Sequence, residues 1–229
     1  MSQPLAIFDI DGTIFRSSLA IEQINQFVED GIFPPRVLED MQGEYYAWLD
    51  REGSYEDYIQ KTIDVYGGYL RGASIDAVQQ ANRRMVEKNY KRVYRYTRSL
   101  IRELKKKGYL IVAISGSPEG VVEEFQMFWN IDFSFGTVFE IVDEHFTGKV
   151  LYEPAREKKA VLHRFIEHNK LSLKGSVGVG DTASDIGFLE EVAEPIAFNP
   201  NKQLKQMAEK RGWKIIVERK DVVWEMGKG

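Results

Sequence analysis

The feature that most constrains this chain is a short apolar run near its start that ends in two carboxylates. Residues 5–8 are apolar, and Asp9, Asp11 and Gly12 follow almost at once. Such a run typically forms a buried strand of a parallel sheet, and ligands of these sheets bind beyond the carboxyl ends of the strands. Because two buried acids are unfavourable without a compensating cation, the pattern predicts a cation there. Taken alone, it also fits a strand followed by an ordinary Asp-Gly turn.

A second acidic strand end lies far along the chain. Residues 176–180 are small and apolar, and Asp181 follows them. A helix starting near Thr182 would place Asp181 at its N-cap and Asp185 one turn later, so that both acids face the strand ends. The glycines lack the spacing of a dinucleotide-binding loop. An N-cap acid followed by a solvated acid explains the same residues.

A third strand ends in hydroxyls. Residues 110–114 are apolar and lead into Ser115, Gly116, Ser117 and Pro118. Small residues followed by a proline in the first helical turn form a loop whose N–H groups can hold an anion. An ordinary strand-to-helix turn is the alternative.

Together, the three strand ends resemble the haloacid dehalogenase (HAD) superfamily of phosphotransferases. The segment from Asp9 to Thr13 fits the D-x-D-G-T nucleophile motif, Ser115 fits the hydroxyl motif, and Asp181 with Asp185 fits the acidic motif. These positions span most of the chain, so the resemblance is specific.

The motif lysine has two candidates. Aligned without a gap to the phosphoserine-phosphatase-like branch, back from Asp181, the family lysine falls on Lys158, and Lys159 is the alternative.

The resemblance implies an α/β fold: a Rossmann-like, parallel-sheet HAD core with an all-helical C1 cap inserted after the first motif. Amphipathic spacing without proline between residues 36 and 118 agrees with such an insert. We expect residues 1–16 and 91–229 to form the core and residues 17–90 the cap.

The resemblance also implies roles for individual residues. Asp9 would be the nucleophile, Asp11 the general acid and base, and Lys158 the charge-neutralising lysine. The phosphate would be held by Ser115, Gly116, Gly12 and Thr13, with Thr13 mainly orienting its loop. Mg²⁺ would be bound by Asp9, the backbone carbonyl of Asp11, Asp181 and Asp185.

The expected function is Mg²⁺-dependent hydrolysis of a small phosphorylated metabolite through an aspartyl-phosphate. A phosphotransferase or mutase on the same scaffold, or a non-catalytic phosphate-binding protein, are the alternatives. Phosphoserine phosphatases carry a glutamate nine residues after the nucleophile, where this chain has Ser18, with Glu22 one turn further on. Strict phosphoserine specificity is therefore not implied.

Nine of the eleven tyrosines lie between Tyr45 and Tyr96, which favours helix packing over an aromatic pocket for a cationic head group.

The composition of the chain limits its possible chemistry, partners and cellular location. The chain has no cysteine, which excludes disulfides and a thiol nucleophile, and its net charge of −4 gives no sign of a nucleic-acid partner. There is no signal-peptide pattern and no apolar run of the ~20 residues needed to span a bilayer. We expect a cytoplasmic protein with a small-molecule substrate and no membrane partner.

Local patterns predict the remaining elements. We expect a long helix from about residue 89 to 107, a helix over residues 119–129, short strands or a hairpin over residues 133–150 turning at residues 146–149, and a helix over residues 155–169. Later strands are expected at residues 196–198 and 213–217, with a helix at residues 203–210 between them, and the ending from residue 218 is expected to fray.

Overall fold

One eight-stranded sheet organises the chain. The computed structural model describes residues 3–226, apart from the side chain of Glu56. The strands are β1 (Leu5–Phe8), β2 (Leu110–Pro118), β3 (Phe133–Val142), β4 (His145–Tyr152), β5 (Val177–Gly180), β6 (Glu194–Phe198), β7 (Lys214–Arg219) and β8 (Val222–Met226).

The strand order places β1 in the middle of the sheet. The order is β4-β3-β2-β1-β5-β6-β7-β8, with β4 and β8 antiparallel at the two edges and the strands between them parallel. Phe8 at the end of β1 pairs with Ala113 of β2 and Val179 of β5. The segments that follow these three strands therefore meet at one edge of the sheet.

Burial on both faces explains the unbroken apolar run of β1. Leu5 and Ile7 pack into the core on one face of the sheet, while Ala6 and Phe8 pack into the core on the other. All four are fully buried, as the central strand of a parallel sheet requires. The expected α/β architecture is confirmed.

Ten helices accompany the described part of the sheet. They are α1 (Leu19–Glu29), α2 (Arg36–Asp40), α3 (Gln42–Leu49), α4 (Tyr55–Leu70), α5 (Ile75–Asn89), α6 (Arg95–Lys106), α7 (Glu119–Trp129), α8 (Lys158–His168), α9 (Ile186–Leu189) and α10 (Lys202–Arg211). Single 3₁₀ turns precede α8 (Pro154–Glu157) and α9 (Ala183–Asp185). No helix within residues 3–226 is long and apolar enough to cross a membrane.

Helices α1 to α5 surround a core of their own. Phe27, Phe33, Tyr66 and Leu70 are buried in it, and Phe139 of β3 joins them. Helix α4 is fixed at its start by a capping box, in which Ser54 and Asp57 bond each other's backbone N–H groups. Tyr66 packs against the rings of Phe27, Phe33 and Phe139.

The β3–β4 hairpin holds these helices by backbone hydrogen bonds. The N–H of Gly72 donates to Phe146 O at 2.8 Å, and the N–H of Phe146 donates to Ala73 O at 2.9 Å. A Cβ on Gly148 would lie 2.3 Å from Gly67 O, so the close approach of β4 to α4 requires glycine.

Two expectations, for the β-hairpin and for the end of the chain, were wrong. Residues 146–149 lie within β4, and the hairpin turns instead at Asp143 and Glu144, whose φ angles are 49° and 64°. The glycine taken for a turn residue serves the close contact with Gly67. The ending does not fray up to Met226, because β8 pairs with β7; residues 227–229 lie outside the described part.

The expected helix over residues 89–107 begins only at Arg95. Between α5 and α6 the chain runs extended past the segment after β1, with Val93 bridging Phe15 and the N–H of Tyr94 donating to Ile14 O at 3.0 Å. These distant contacts override the local helical pattern. The expected loop over residues 115–118 is instead the last part of β2, so Pro118 ends that strand and caps α7 rather than lying in its first turn.

Candidate active site

Three carboxylates meet where β1 and β5 end. Asp9, Asp181 and Asp185 each offer an oxygen, and these oxygens lie within 4.8 Å of one another. The loop after β1 makes this possible: Gly12 has a φ of 83°, and a Cβ there would lie 2.2 Å from Asp181 Oδ2. A side chain at residue 12 would therefore strain the backbone and displace Asp181.

Lys158 is the cation within this cluster. It is the first residue of α8, it is buried, and its Nζ donates to Asp9 Oδ1 and to Asp185 Oδ1, each at 2.6 Å. Burial alone would lower the pKa of Lys158, but the charges of Asp185 and Asp9 raise it above its usual value. Lys159 points elsewhere: it pairs with Glu191 and is half exposed.

One ammonium does not balance three acids. Burial raises the pKa of Asp9 to about 7, although Lys158 opposes the rise and Asp185 adds to it. Burial, together with Asp9 and Asp185, also raises the pKa of Asp181 well above its ordinary value. The cluster thus has an excess of negative charge that a further cation would relieve.

A divalent metal fits the oxygens that have no partner. Asp9 Oδ2 is buried and has no hydrogen-bond donor among the described residues. Asp181 uses Oδ1 to accept the Thr13 hydroxyl at 3.2 Å. Asp185 is fully engaged, because Lys158 occupies Oδ1 while the N–H groups of Asp181 and Thr182 bond Oδ2 at 2.9 and 3.0 Å. Asp9 and Asp181 therefore suit direct coordination of Mg²⁺, and Asp185 suits a supporting or water-mediated role.

Asp11 lies beside this cluster with its carboxylate turned to hydroxyls and to α1. It accepts from Ser115 Oγ at 2.5 Å, from Ser117 Oγ at 3.0 Å and from the N–H of Leu19 at 2.6 Å. Ser117 Oγ in turn accepts the N–H of Ala20 at 3.1 Å. Ser117 was not assigned a role from the sequence; its only signal was a second hydroxyl in the segment after residue 114.

The other predicted phosphate-binding residues have structural contacts. The N–H of Gly12 donates to Phe15 O at 2.9 Å, and the N–H of Thr13 donates to Ile10 O at 3.2 Å. Gly116 O accepts the hydroxyl of Thr137 at 2.7 Å. Phosphate binding by Gly12, Thr13, Ser115 and Gly116 stays a prediction.

A cavity of about 560 Å³ opens above the carboxylates. Its floor includes Asp9, Asp11, Lys158 and Asp181, and its far wall comes from α4. The wall residues Tyr55, Ile59 and Ile63 were part of an amphipathic pattern in the sequence, which gave no reason to place them opposite the acids.

Two further residues bear on what enters this cavity. Ser18 is buried and lines it, whereas Glu22 lies 3.5 Å from Arg92. Burial raises the pKa of Tyr55, and the charges of Asp11 and Asp181 add to the rise, which places its hydroxyl within the field of the acids.

Comparison with known proteins agrees with this geometry. A family model described as haloacid dehalogenase-like hydrolase matches residues 6–190. The chain is 24% identical to the phosphoserine phosphatase of Methanocaldococcus jannaschii over 220 residues, which is 95% of this chain and 93% of that protein. It is 26% identical to the phosphoserine phosphatase of Streptomyces coelicolor over 90% of this chain, but it spans only 47% of that protein's length.

Solved structures share the fold. A protein of unknown function from Bordetella pertussis has a TM-score of 0.76 at 20% identity, with 94% of this chain and 98% of that chain covered. A phosphoserine phosphatase holding an analogue of the phospho-aspartyl intermediate has a TM-score of 0.64 at 22% identity, with 96% of each chain covered. Since the family model covers most of the chain and the fold agrees, the chain belongs to the haloacid dehalogenase-like hydrolases.

Proposed function

We propose that this phosphatase hydrolyses a monoester of a small phosphorylated metabolite through an aspartyl-phosphate on Asp9, with Mg²⁺ as cofactor. The observation that carries the proposal is the state of the Asp9 carboxylate. One oxygen is held by Lys158, the other has no partner among the described residues, and Asp11 stands beside it in the same cavity.

In the first step, one carboxylate oxygen of Asp9 attacks the phosphorus atom of the ester, and the other would remain available to Mg²⁺. A bond forms between the carboxylate oxygen and phosphorus as the bond from phosphorus to the leaving oxygen breaks, and Asp11 gives its proton to that oxygen. Lys158 offsets the negative charge that gathers around Asp9 and the phosphoryl group. Ser115 would donate its hydroxyl to a phosphate oxygen.

In the second step, water replaces Asp9. Asp11, now ionised, takes a proton from the attacking water, the new oxygen–phosphorus bond forms, and the acyl-phosphate bond to Asp9 breaks to release phosphate. Asp9 and Asp181 would hold Mg²⁺, which when bound supplies positive charge against the carboxylates and the phosphate.

We assign residues 17–90 to a helical cap and residues 1–16 and 91–229 to the core. Helices α1 and α4 supply cavity walls above the acids, which supports this division. A cap above the acids would limit the access of water to the reacting groups. The cytoplasmic setting stays a prediction from the sequence.

Release of inorganic phosphate tests the proposal. A panel of phosphorylated metabolites should yield free phosphate with Mg²⁺ and the wild-type protein, and none with Asp9→Asn. Transfer of the phosphoryl group to an added alcohol with no free phosphate would instead identify a phosphotransferase. Failure of the folded wild-type protein to release or transfer phosphate from any member would contradict the proposed catalysis.

A further inference from the structure

Ile59 and Ile63 are apolar residues of α4 that line the cavity instead of packing into a core. They are one turn apart on the same face of the helix, both are partly exposed, and both line the cavity above the carboxylates. Neither belongs to an apolar core of the described residues, whereas Val65, Tyr66 and Leu70 of the same helix pack into the core of α1 to α5. The two isoleucines therefore contribute little to holding the helices together.

Other elements extend this apolar surface around the cavity. Tyr55 lies one turn before Ile59, and three alanines contribute from α1, from the turn before α8 and from the turn after β5. These are Ala20, Ala155 and Ala183. The cavity thus has charged residues where a phosphate belongs, and its α4 side carries the apolar side chains of Ile59 and Ile63 beside the polar Gln60 and Thr62.

Charge is scarce along the rest of the lining. Among the described lining residues, the charged side chains are the floor acids and Lys158, together with Lys202, which is exposed at the start of α10. The uncharged polar lining residues of the helices before residue 90 are Ser18, Ser54, Gln60 and Thr62. A carbon chain against the isoleucines would remove apolar surface from water, and a charged group in contact with them would lose hydration.

We infer that the alcohol part of the substrate is uncharged and apolar, an alkyl or aromatic alcohol that packs against Ile59 and Ile63, rather than a charged amino acid. The inference rests on the proposed function, because the floor must hold the phosphate for the wall to meet the alcohol. Each methylene buried on such a wall strengthens binding by about fourfold.

Non-hydrolysable phosphonates test the inference without turnover. With the wild-type protein and Mg²⁺, calorimetry should show hexylphosphonate binding at least about tenfold more tightly than methylphosphonate. It should also bind more tightly than 2-amino-3-phosphonopropionate, which carries the charges of an amino acid. Equal affinities, or tighter binding of the charged ligand, would overturn the inference.

Variants of α4 test whether Ile59 and Ile63 cause the preference for the longer alkyl chain. In Ile59→Ala/Ile63→Ala, the affinity ratio of hexylphosphonate to methylphosphonate should fall by about tenfold. Val65→Ala is the matched control, because it shortens a side chain of the same helix that packs into the helical core; it should leave the ratio unchanged. An unchanged ratio in the double variant refutes the assignment of the wall.

Kinetic measurements distinguish a failure of this inference from a failure of the proposed function. Hexyl phosphate should exceed O-phosphoserine in kcat/KM. If methyl phosphate and O-phosphoserine are hydrolysed with the same kcat/KM as hexyl phosphate, the phosphatase function stands and the inference of an apolar alcohol is wrong. If no ester is hydrolysed, the proposed function fails, and the phosphonate affinities still decide whether the wall binds carbon.

Discussion

The carboxylate of Asp11 accepts a hydrogen bond from the backbone N–H of Leu19 at 2.6 Å. Leu19 is the first residue of α1, so the candidate acid and base bonds directly to the start of the inserted helices. Ser117 strengthens the link, since its hydroxyl donates to Asp11 and accepts the N–H of Ala20. The orientation of Asp11 therefore depends on where α1 lies.

Loss of the Ser117 hydroxyl should impair proton donation to the leaving group. We expect Ser117→Ala to lower kcat for an alkyl phosphate by about tenfold, the worth of one hydrogen bond to a charged group. The rate with p-nitrophenyl phosphate should fall less, because its leaving group needs little protonation. Thr137→Val removes a buried hydroxyl from the neighbouring strand β3, one that bonds Gly116 rather than Asp11, and should affect both esters alike. Equal losses on both esters in Ser117→Ala would argue against the positioning role.

Asp9→Asn should abolish turnover and stabilise the metal-free protein. The folded-state pKa of Asp9 is about 7, above its ordinary value of 3.8. Between these values the folded protein binds more protons than the unfolded chain, so the stability that Asp9 contributes declines as the pH rises through this window. Urea unfolding in chelator at pH 5 and pH 8 should show the stability difference between Asp9→Asn and wild type growing with pH. A difference that shrinks with pH would contradict the placement of Asp9.

Metal removal should be reversible in both activity and stability. A chelator should end turnover and lower the Tm, because the acids lose their compensating cation, and Mg²⁺ should restore both. Ca²⁺ should inhibit, since its larger and looser coordination shell misplaces Asp9. Full turnover in a metal-free sample would refute the assignment of a metal-dependent site.

The two neighbouring lysines should behave in opposite ways. Lys158→Ala leaves Asp9 and Asp185 without their shared cation, so we expect a loss of about 3–5 kcal/mol in the free energy of unfolding, together with loss of turnover. Lys159→Ala breaks an exposed pair with Glu191 and should change stability by less than about 1 kcal/mol. Denaturant unfolding and phosphate release measure both. Comparable effects from the two substitutions would mean that Lys158 is not the lysine of the site.

Substitution of Ser18 should change selectivity. Ser18 lines the cavity, so Ser18→Glu should raise the rate on O-phosphoserine relative to alkyl phosphates by adding a partner for the ammonium group. Rates on p-nitrophenyl phosphate should change less. Although Glu22 was the alternative candidate from the sequence, it lies beside Arg92, and Glu22→Gln serves as the control. If Ser18→Glu leaves the relative rates on the different substrates unchanged, Ser18 does not determine substrate selectivity.

The strand-end acids could be recognised from the sequence because their positions follow from local rules. A short apolar run such as residues 5–8 forms a strand wherever both of its faces are buried, and parallel strands bring their carboxyl ends to one edge. Asp9, Ser115 and Asp181 were therefore expected at that edge, and the structure brings them together there. The helix from Glu119 to Trp129 was likewise bounded by its local pattern.

Tertiary structure decided what depends on residues distant in sequence. The break between α5 and α6 arises where Val93 meets Phe15. The hairpin turns at Asp143 and Glu144, and Gly148 lies within β4 against Gly67. Periodicity predicts an amphipathic helix at α4, but not that Ile59 and Ile63 line a cavity shared with the acids. Local patterns depend on propensity and spacing along the chain, whereas these contacts depend on how separate elements pack, which no local pattern records.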